Sequence, residues 1–119
     1  MLLNRAAFSG LCRARDLLVE VPDQPLSIRD IARAARMSPF HFIRQFESTF
    51  GLTPHQFRIQ TRLDRAKLLL AMGQSVTEVC MEVGFSSLGS FSDLFTRKVG
   101  TPPSVYRLRA RTMVAIPGP

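Results

Sequence analysis

Residues 27–57 read SIRDIARAARMSPFHFIRQFESTFGLTPHQF, and residues 75–106 read SVTEVCMEVGFSSLGSFSDLFTRKVGTPPSVY. The two stretches are one pattern written twice, offset by 48 residues at the start and by 49 after one extra residue near Leu88. This register pairs Ser27 with Ser75, Ile28 with Val76, Ile31 with Val79, Ala32 with Cys80 and Ser38 with Ser86. It continues with Phe42 and Phe91, Phe46 and Phe95, Gly51 and Gly100, Pro54 and Pro103, and Phe57 and Tyr106. Self-similarity at a fixed offset marks a duplicated structural unit, so one copy can be read against the other.

The punctuation within each copy predicts a short helix, a turn and a second helix. Ser27 and Ser75 are N-cap residues with an acid three positions on, Asp30 and Glu78, and Ser75 with Glu78 forms a full Ser-x-x-Glu capping box. Apolar residues then recur at helical spacing: Ile28, Ile31, Ala32 and Ala35 in the first copy, Val76, Val79, Cys80 and Val83 in the second. Turns follow at Arg36-Met37 and Gly84-Phe85. The second helices open at Ser38-Pro39 and at Ser86-Ser87, with a serine cap and, in the first copy, proline at the first helical position. The short spacing between the paired helices is that of a helix-turn-helix.

Working outward, Thr53-Pro54-x-Gln56 caps a long connector through Leu63, Ala66, Leu69 and Leu70 that closes at Gly73. A helix of roughly 19 residues is about 28 Å long, close to the ~34 Å between major-groove segments on one face of B-DNA. Residues Phe8 to Val21 read as one more helix, followed by a Pro22-Asp23-Gln24-Pro25 loop. The expected organisation is all-α: 1–52 a first helix-turn-helix subdomain with its preceding helix, 53–73 the connector, 74–107 a second helix-turn-helix subdomain, and 108–119 a flexible tail without sustained period.

Length and composition narrow the function. The 119 residues suffice for one domain or two small lobes and leave no room for separate cofactor and substrate domains. With 45% apolar and 21% charged residues the chain is globular in composition. Sixteen Lys and Arg against nine Asp and Glu give +7, and a pI near 11.0 points to a polyanion, nucleic acid first. Fourteen of the sixteen are arginine, whose planar fork matches phosphate and guanine edges. Cys12 and Cys80 make neither a metal spacing nor a disulfide framework. The start, broken by Asn4 and Arg5, lacks a signal peptide's apolar stretch, and no run is long enough to span a bilayer, so a reducing, cytoplasmic setting is expected.

At 100° per residue, Phe42, Ile43, Phe46 and Phe50 form the inward stripe of the first reading helix, and Phe40, His41, Arg44, Glu47 and Ser48 the outward sector. Phe40 beside Arg44 near a helix start supplies a guanidinium for guanine O6/N7 and an apolar group for a thymine methyl. The second reading helix should bury Leu88, Phe91, Leu94, Phe95 and Val99 and expose Gly89, Ser90, Asp93, Thr96 and Arg97. Asp93 stands where the first copy has Arg44. Facing phosphates it must accept from cytosine N4 or be paired, and pairing with Arg97 four residues on is the expectation. The second unit then positions the backbone, with Ser90 at phosphate, more than it reads bases.

Other constellations carry no chemistry. His41 and His55 share no metal-ligand cluster with Cys or carboxylates. Gly84 to Gly89 has the outline of a nucleophile elbow, with the wrong spacing and no preceding strand. Cys80 falls on the apolar stripe and is expected to be a small core residue. Arg107, Arg109 and Arg111 fit equally a solvated charge run and an auxiliary phosphate contact.

From about Leu17 to Arg107 the sequence resembles the C-terminal DNA-binding domain of AraC/XylS-type bacterial transcription regulators. The resemblance rests on Arg62, Ala66 and Leu70 in the connector, then Val83-Gly84-Phe85, Phe91, Phe95, Gly100, Pro103, Tyr106 and Arg107. It implies seven helices in two helix-turn-helix subdomains joined by a long helix, inserted into neighbouring major-groove segments to activate or repress transcription. It places the base-reading face on Phe40, His41, Ile43 and Arg44, and on Gly89, Ser90 and Asp93; Ser38 and Arg97 complete the expected DNA-binding set. Departures fall at Arg58, where an apolar residue is usual, at Ser90, where an aromatic or His is common, and at Asp93, where Arg is common. Most relatives add an N-terminal sensing and dimerisation domain, so the chain is either a single-domain member or a piece of a longer regulator. The expected partners are double-stranded promoter DNA, bound by a monomer, and RNA polymerase, with no cofactor. The alternative is an all-α basic module that binds a protein or RNA.

Overall fold

The structure, a computed structural model, describes residues 4–20 and 26–115, with side chains to residue 112. The described residues form seven helices and no strand: α1 (Arg5–Val19), α2 (Ile28–Ala34), α3 (Pro39–Phe50), α4 (Pro54–Ala71), α5 (Val76–Glu82), α6 (Leu88–Val99) and α7 (Pro103–Ala115). The chain divides within α4 into two compact units, residues 1–61 and 62–119. The connector is therefore shared between the units. The Pro22 to Pro25 loop lies outside the described residues.

Local chemistry sets the helix starts. The Asn4 side chain accepts the Ala7 amide at 2.7 Å and starts α1 three residues before the expected Phe8. In α2, Ser27 Oγ accepts the Asp30 amide while the Asp30 carboxylate accepts the Ser27 amide, a reciprocal capping box. The second copy corrects an expectation. Ser75 caps the Glu78 amide at 3.2 Å, but Glu78 does not reach back. Its extra methylene must be folded at a cost in rotamer freedom for one exposed hydrogen bond, whereas Asp30 is already in reach. Thr53 and Gln56 form the reciprocal box that opens α4.

Ser38 caps α3 through the His41 amide, and Ser87 caps α6 through the Ser90 amide, each at 3.3 Å. The extra residue of the second copy thus precedes Ser87, and Ser38 corresponds to Ser87 rather than Ser86. With that register α3 and α6, their C-caps Gly51 and Gly100, and the starts of α4 and α7 at Pro54 and Pro103 all match at 49.

The core of the first unit gathers Leu11, Ala14 and Leu18 of α1, Ile31, Ala32 and Ala35 around α2, and Phe42 and Phe46 of α3. Gly10 lets α1 approach closely: a Cβ there would lie 3.1 Å from the Ala35 carbonyl oxygen. The second unit buries Leu63, Ala66, Leu69, Leu70, Val79, Cys80, Val83, Phe91 and Phe95. The same aromatic ladder runs through both. Phe42–Phe46 and Phe46–Phe57 have ring centroids 5.7 Å apart, and Phe91–Phe95 and Phe95–Tyr106 lie at 5.7 and 5.6 Å. Tilted and edge-on pairs at these distances add to area burial.

Three expectations are corrected. Residues 108–115, expected to be flexible tail, are the later turns of α7. The helix begins with Pro103 at its first position and is held to its own unit by Arg107, which donates to the carbonyls of Gly73 at 2.8 Å and Gln74 at 2.9 Å. Residues 116–119 of that tail lie outside the described residues. Ile43 and Leu88, both expected inside, are exposed at 37% and 45%. Ile43 sits at the edge of its stripe, and Leu88 in the first turn of α6 projects past the core.

The turns between the paired helices use the same hydrogen bonds with different residues. Arg36 donates to the Arg33 carbonyl and Met37 to that of Ala32; Gly84 donates to Met81 and Phe85 to Cys80. This closure requires a left-handed residue. In the second unit it is Gly84, at φ 99°; in the first it is Arg36, at φ 60°, the one non-glycine in that region among the described residues. A side chain there costs about 1–2 kcal/mol relative to glycine.

Candidate nucleic-acid interface

Ser38 and Pro39 start α3 so that its first two turns carry a polar and aromatic surface over the buried Phe42 and Phe46. Phe40 is 71% exposed, and the Arg44 guanidinium carbon lies 5.5 Å from its ring centroid. This cation–π contact sets the guanidinium beside the ring on the exposed face of α3. His41 is exposed beside it, and Ile43 borders the same face. Phe40, His41, Ile43 and Arg44 are thus brought together on one face of α3, with Ser38 engaged at its cap.

In the second unit, Gly89, Ser90, Asp93, Thr96 and Arg97 are all exposed on α6. The expected Asp93–Arg97 ion pair is not formed: the ion pairs among the described residues are Arg15–Asp16, Arg65–Glu82 and Lys67–Asp64. An exposed pair gains little over hydration while restricting two side chains, so both charges stay solvated. The outer face of α6 thus presents a free carboxylate in its second turn and a free guanidinium one turn later.

Cys80, Arg62, Arg58 and Arg107 serve the fold, whereas His55, Arg109 and Arg111 are exposed. Cys80 is buried with its Sγ 3.8 Å from the Phe85 carbonyl oxygen, and burial pushes its thiol pKa up. Arg62 donates to the Gly84 carbonyl and lies over the Phe85 ring at 5.9 Å; burial lowers its guanidinium pKa. Arg58 donates to the Leu26 carbonyl at 2.6 Å, anchoring the segment before α2. Arg107 is a helix-end anchor, a role its place in an arginine run did not reveal. Among the described residues no group of three or more His, Cys, Asp or Glu could hold a metal ion, and no helix is long and apolar enough to cross a membrane.

Comparison with known proteins gives the arrangement a family. A family model described as a helix-turn-helix domain matches residues 31–109. The chain is similar to the probable transcriptional regulator LumQ of Photobacterium leiognathi, 37% identical over 87 residues that make up 72% of this chain and 35% of LumQ. Among solved structures, an AraC-type DNA-binding domain-containing regulator of Chromobacterium violaceum superposes with a TM-score of 0.78 at 28% identity, covering 97% of this chain and all of that one. The DNA-binding domain of the global transcriptional factor AdpA, solved in complex with a target DNA, superposes with a TM-score of 0.76 at 31% identity over 92% of this chain and 96% of that one. The chain spans about a third of the length of the curated relatives it matches. With its duplicated helix-turn-helix and these relatives, the chain belongs to the AraC-type family of helix-turn-helix transcription regulators.

Proposed function

We propose that the chain is a sequence-specific double-stranded DNA-binding module of a transcription regulator, and that α3 and α6 enter adjacent major-groove segments of promoter DNA. The observation that carries this reading is the outer face of α3, where an exposed Arg44 lies beside an exposed Phe40, a guanidinium for a guanine edge next to an apolar group for a thymine methyl. In this reading His41 and Ile43 flank the pair and Ser38 sets the helix start near phosphate. Gly89, Ser90, Asp93 and Arg97 form the corresponding face of α6. The 18 residues of α4, about 27 Å of helix, join the units, residues 1–52 and 74–107 acting as the two helix-turn-helix subdomains.

One chain supplies both readers, so it binds as a monomer across roughly two helical turns. It needs no cofactor and catalyses no reaction; it works in the cytoplasm, where bound promoter DNA brings it beside RNA polymerase. AdpA's domain, similar in fold and 31% identical, was solved with target DNA, which supports this reading over a basic module for a protein or RNA.

The test is an electrophoretic shift on a duplex selected by the protein from a random library, repeated across a salt series. Affinity should fall with a log-log slope of about −0.9 per phosphate neutralised, so six contacts lose roughly 10³-fold between 50 and 200 mM salt. A selection that yields no enriched sequence, with salt-insensitive binding, would favour the interaction module.

A further inference from the structure

We propose that Arg29, Arg33 and Arg36 form a clamp for the DNA sugar-phosphate backbone, carried by the first unit only and separate from the base-reading face of α3. The proposal rests on the DNA-binding reading above. The three side chains, with Met37 and Pro39, line an open hollow of about 400 Å³ beside the start of α3. All three are exposed, and none is in an ion pair among the described residues. Three guanidinium groups around one hollow repel one another, and among the described residues no carboxylate lines the hollow or pairs with them. Asp30, the acid within this segment, is already committed to the Ser27 amide. Such a cluster gains its counter-charge only when an anion enters, and bidentate guanidinium–phosphate pairing is the strong form of that contact.

Backbone conformation is an independent observation. Arg36 occupies the left-handed position that the second unit fills with Gly84, and it keeps the same turn hydrogen bonds. A strained residue at a site where glycine serves the fold equally well points to a use for its side chain. The repeat sharpens the point. At the offset of 48, Arg29, Arg33 and Arg36 correspond to Thr77, Met81 and Gly84, none of them charged. The fold therefore does not need arginine at any of the three places. In a helix-turn-helix the first helix crosses the backbone while the second enters the groove, and α2 with its turn carries this cluster beside that entry. The ligand class is the phosphodiester backbone flanking the first half-site.

The test transplants the second unit's residues into the first in the full chain: Arg29→Thr with Arg33→Met and Arg36→Gly, beside Arg36→Gly alone and the charge-keeping Arg36→Lys. Binding is measured on the library-selected duplex and on a scrambled one, across salt. Each phosphate contact removed should flatten the log-log salt slope by about 0.9, so the triple variant should lose about 2 to 3 of slope. Its affinity should fall by a similar factor on both duplexes, leaving base preference unchanged, while Arg36→Lys keeps its slope. Arg36→Gly should lose about 0.9 of slope and yet melt higher than the parent, opposite signs that misfolding cannot produce. Methylphosphonate linkages placed singly along the duplex should weaken the parent at phosphates flanking the first half-site and leave the triple variant unaffected there.

Unchanged slope and affinity in the triple and Arg36→Gly variants, with the parent binding normally, would overturn the clamp alone. So would a triple variant that loses promoter activity while holding DNA affinity, which would hand the arginines to an acidic protein surface. A parent that binds neither duplex would overturn the DNA-binding reading itself.

Discussion

The two units of this chain share an interior and differ on their surfaces. Phe42, Phe46 and Phe57 are matched by Phe91, Phe95 and Tyr106 in the same ladder, with ring spacings that agree within 0.1 Å. Outside, Phe40 and Arg44 are matched by Gly89 and Asp93, and the Arg29–Arg33–Arg36 cluster by Thr77, Met81 and Gly84. Total charge is not the difference: residues 1–61 hold eight basic and five acidic residues, and residues 62–119 eight and four. Placement is. In the first unit Arg29, Arg33, Arg36 and Arg44 lie on α2, its turn and α3 with none of them in an ion pair among the described residues, while the second commits Arg62 and Arg107 to backbone carbonyls and Arg65 to an ion pair with Glu82. Packing holds the inward positions to one solution, whereas outward positions are free to specialise.

The largest effects are expected in the interior that the two units share. Phe46→Ala and Phe95→Ala each empty the central rung of one ladder and should each cost about 3–5 kcal/mol. Melting of the two variants side by side checks this, and a small loss in one would show that the ladders do not bear equal weight. Next in size is Arg44→Ala, which should weaken binding to the selected site by about 1–3 kcal/mol at an unchanged melting temperature. Equal loss on scrambled DNA would make Arg44 a phosphate contact. Gly84→Ala places a side chain where the first unit tolerates one, and should lower stability by about 1–2 kcal/mol without changing base preference. If it is neutral, the strain ascribed to Arg36 is wrong as well.

Features governed by a few adjacent residues were legible in the sequence. The serine caps, the Thr53–Gln56 box and the buried stripes of α2, α3, α5 and α6 depend on neighbours three or four positions apart, which composition and period reveal. The faces were legible too: each outward residue named on α3 and α6 is exposed in the structure. The Ser75–Glu78 box is a local exception, formed in one direction only, and most of what escaped depends on tertiary reach. Ile43 and Leu88 are apolar at the margin of a stripe, and only the extent of the opposing surface decides whether a margin is covered. Helix α7 was missed beyond Arg107 because its stabilisation comes from anchoring across to Gly73 and Gln74. The repeat held the missing signal, since α7 is the counterpart of α4 and starts with the same proline. The Asp93–Arg97 pair failed because helical spacing permits an exposed ion pair without supplying the energy to fix it.

The smallest expected effect concerns that free carboxylate. Asp93→Arg adds a cation and removes an anion on the outer face of α6 without breaking any ion pair. Non-specific affinity should rise and its salt slope steepen by about 0.9 if the new guanidinium reaches one phosphate. Stability should stay within about 0.5 kcal/mol of the parent. An unchanged slope would place this face of α6 away from the duplex.

In the proposed function α3 and α6 are two readers of unequal sharpness on one DNA site. The most direct test is to substitute every base pair of the selected site in turn and measure the binding free energy of each at fixed salt. Two clusters of sensitive positions about 10–11 base pairs apart centre to centre are expected. In the cluster read by α3, wrong pairs should cost roughly 1–3 kcal/mol each, and in the cluster read by α6 clearly less. A single sensitive cluster, or two of equal sharpness, would contradict it.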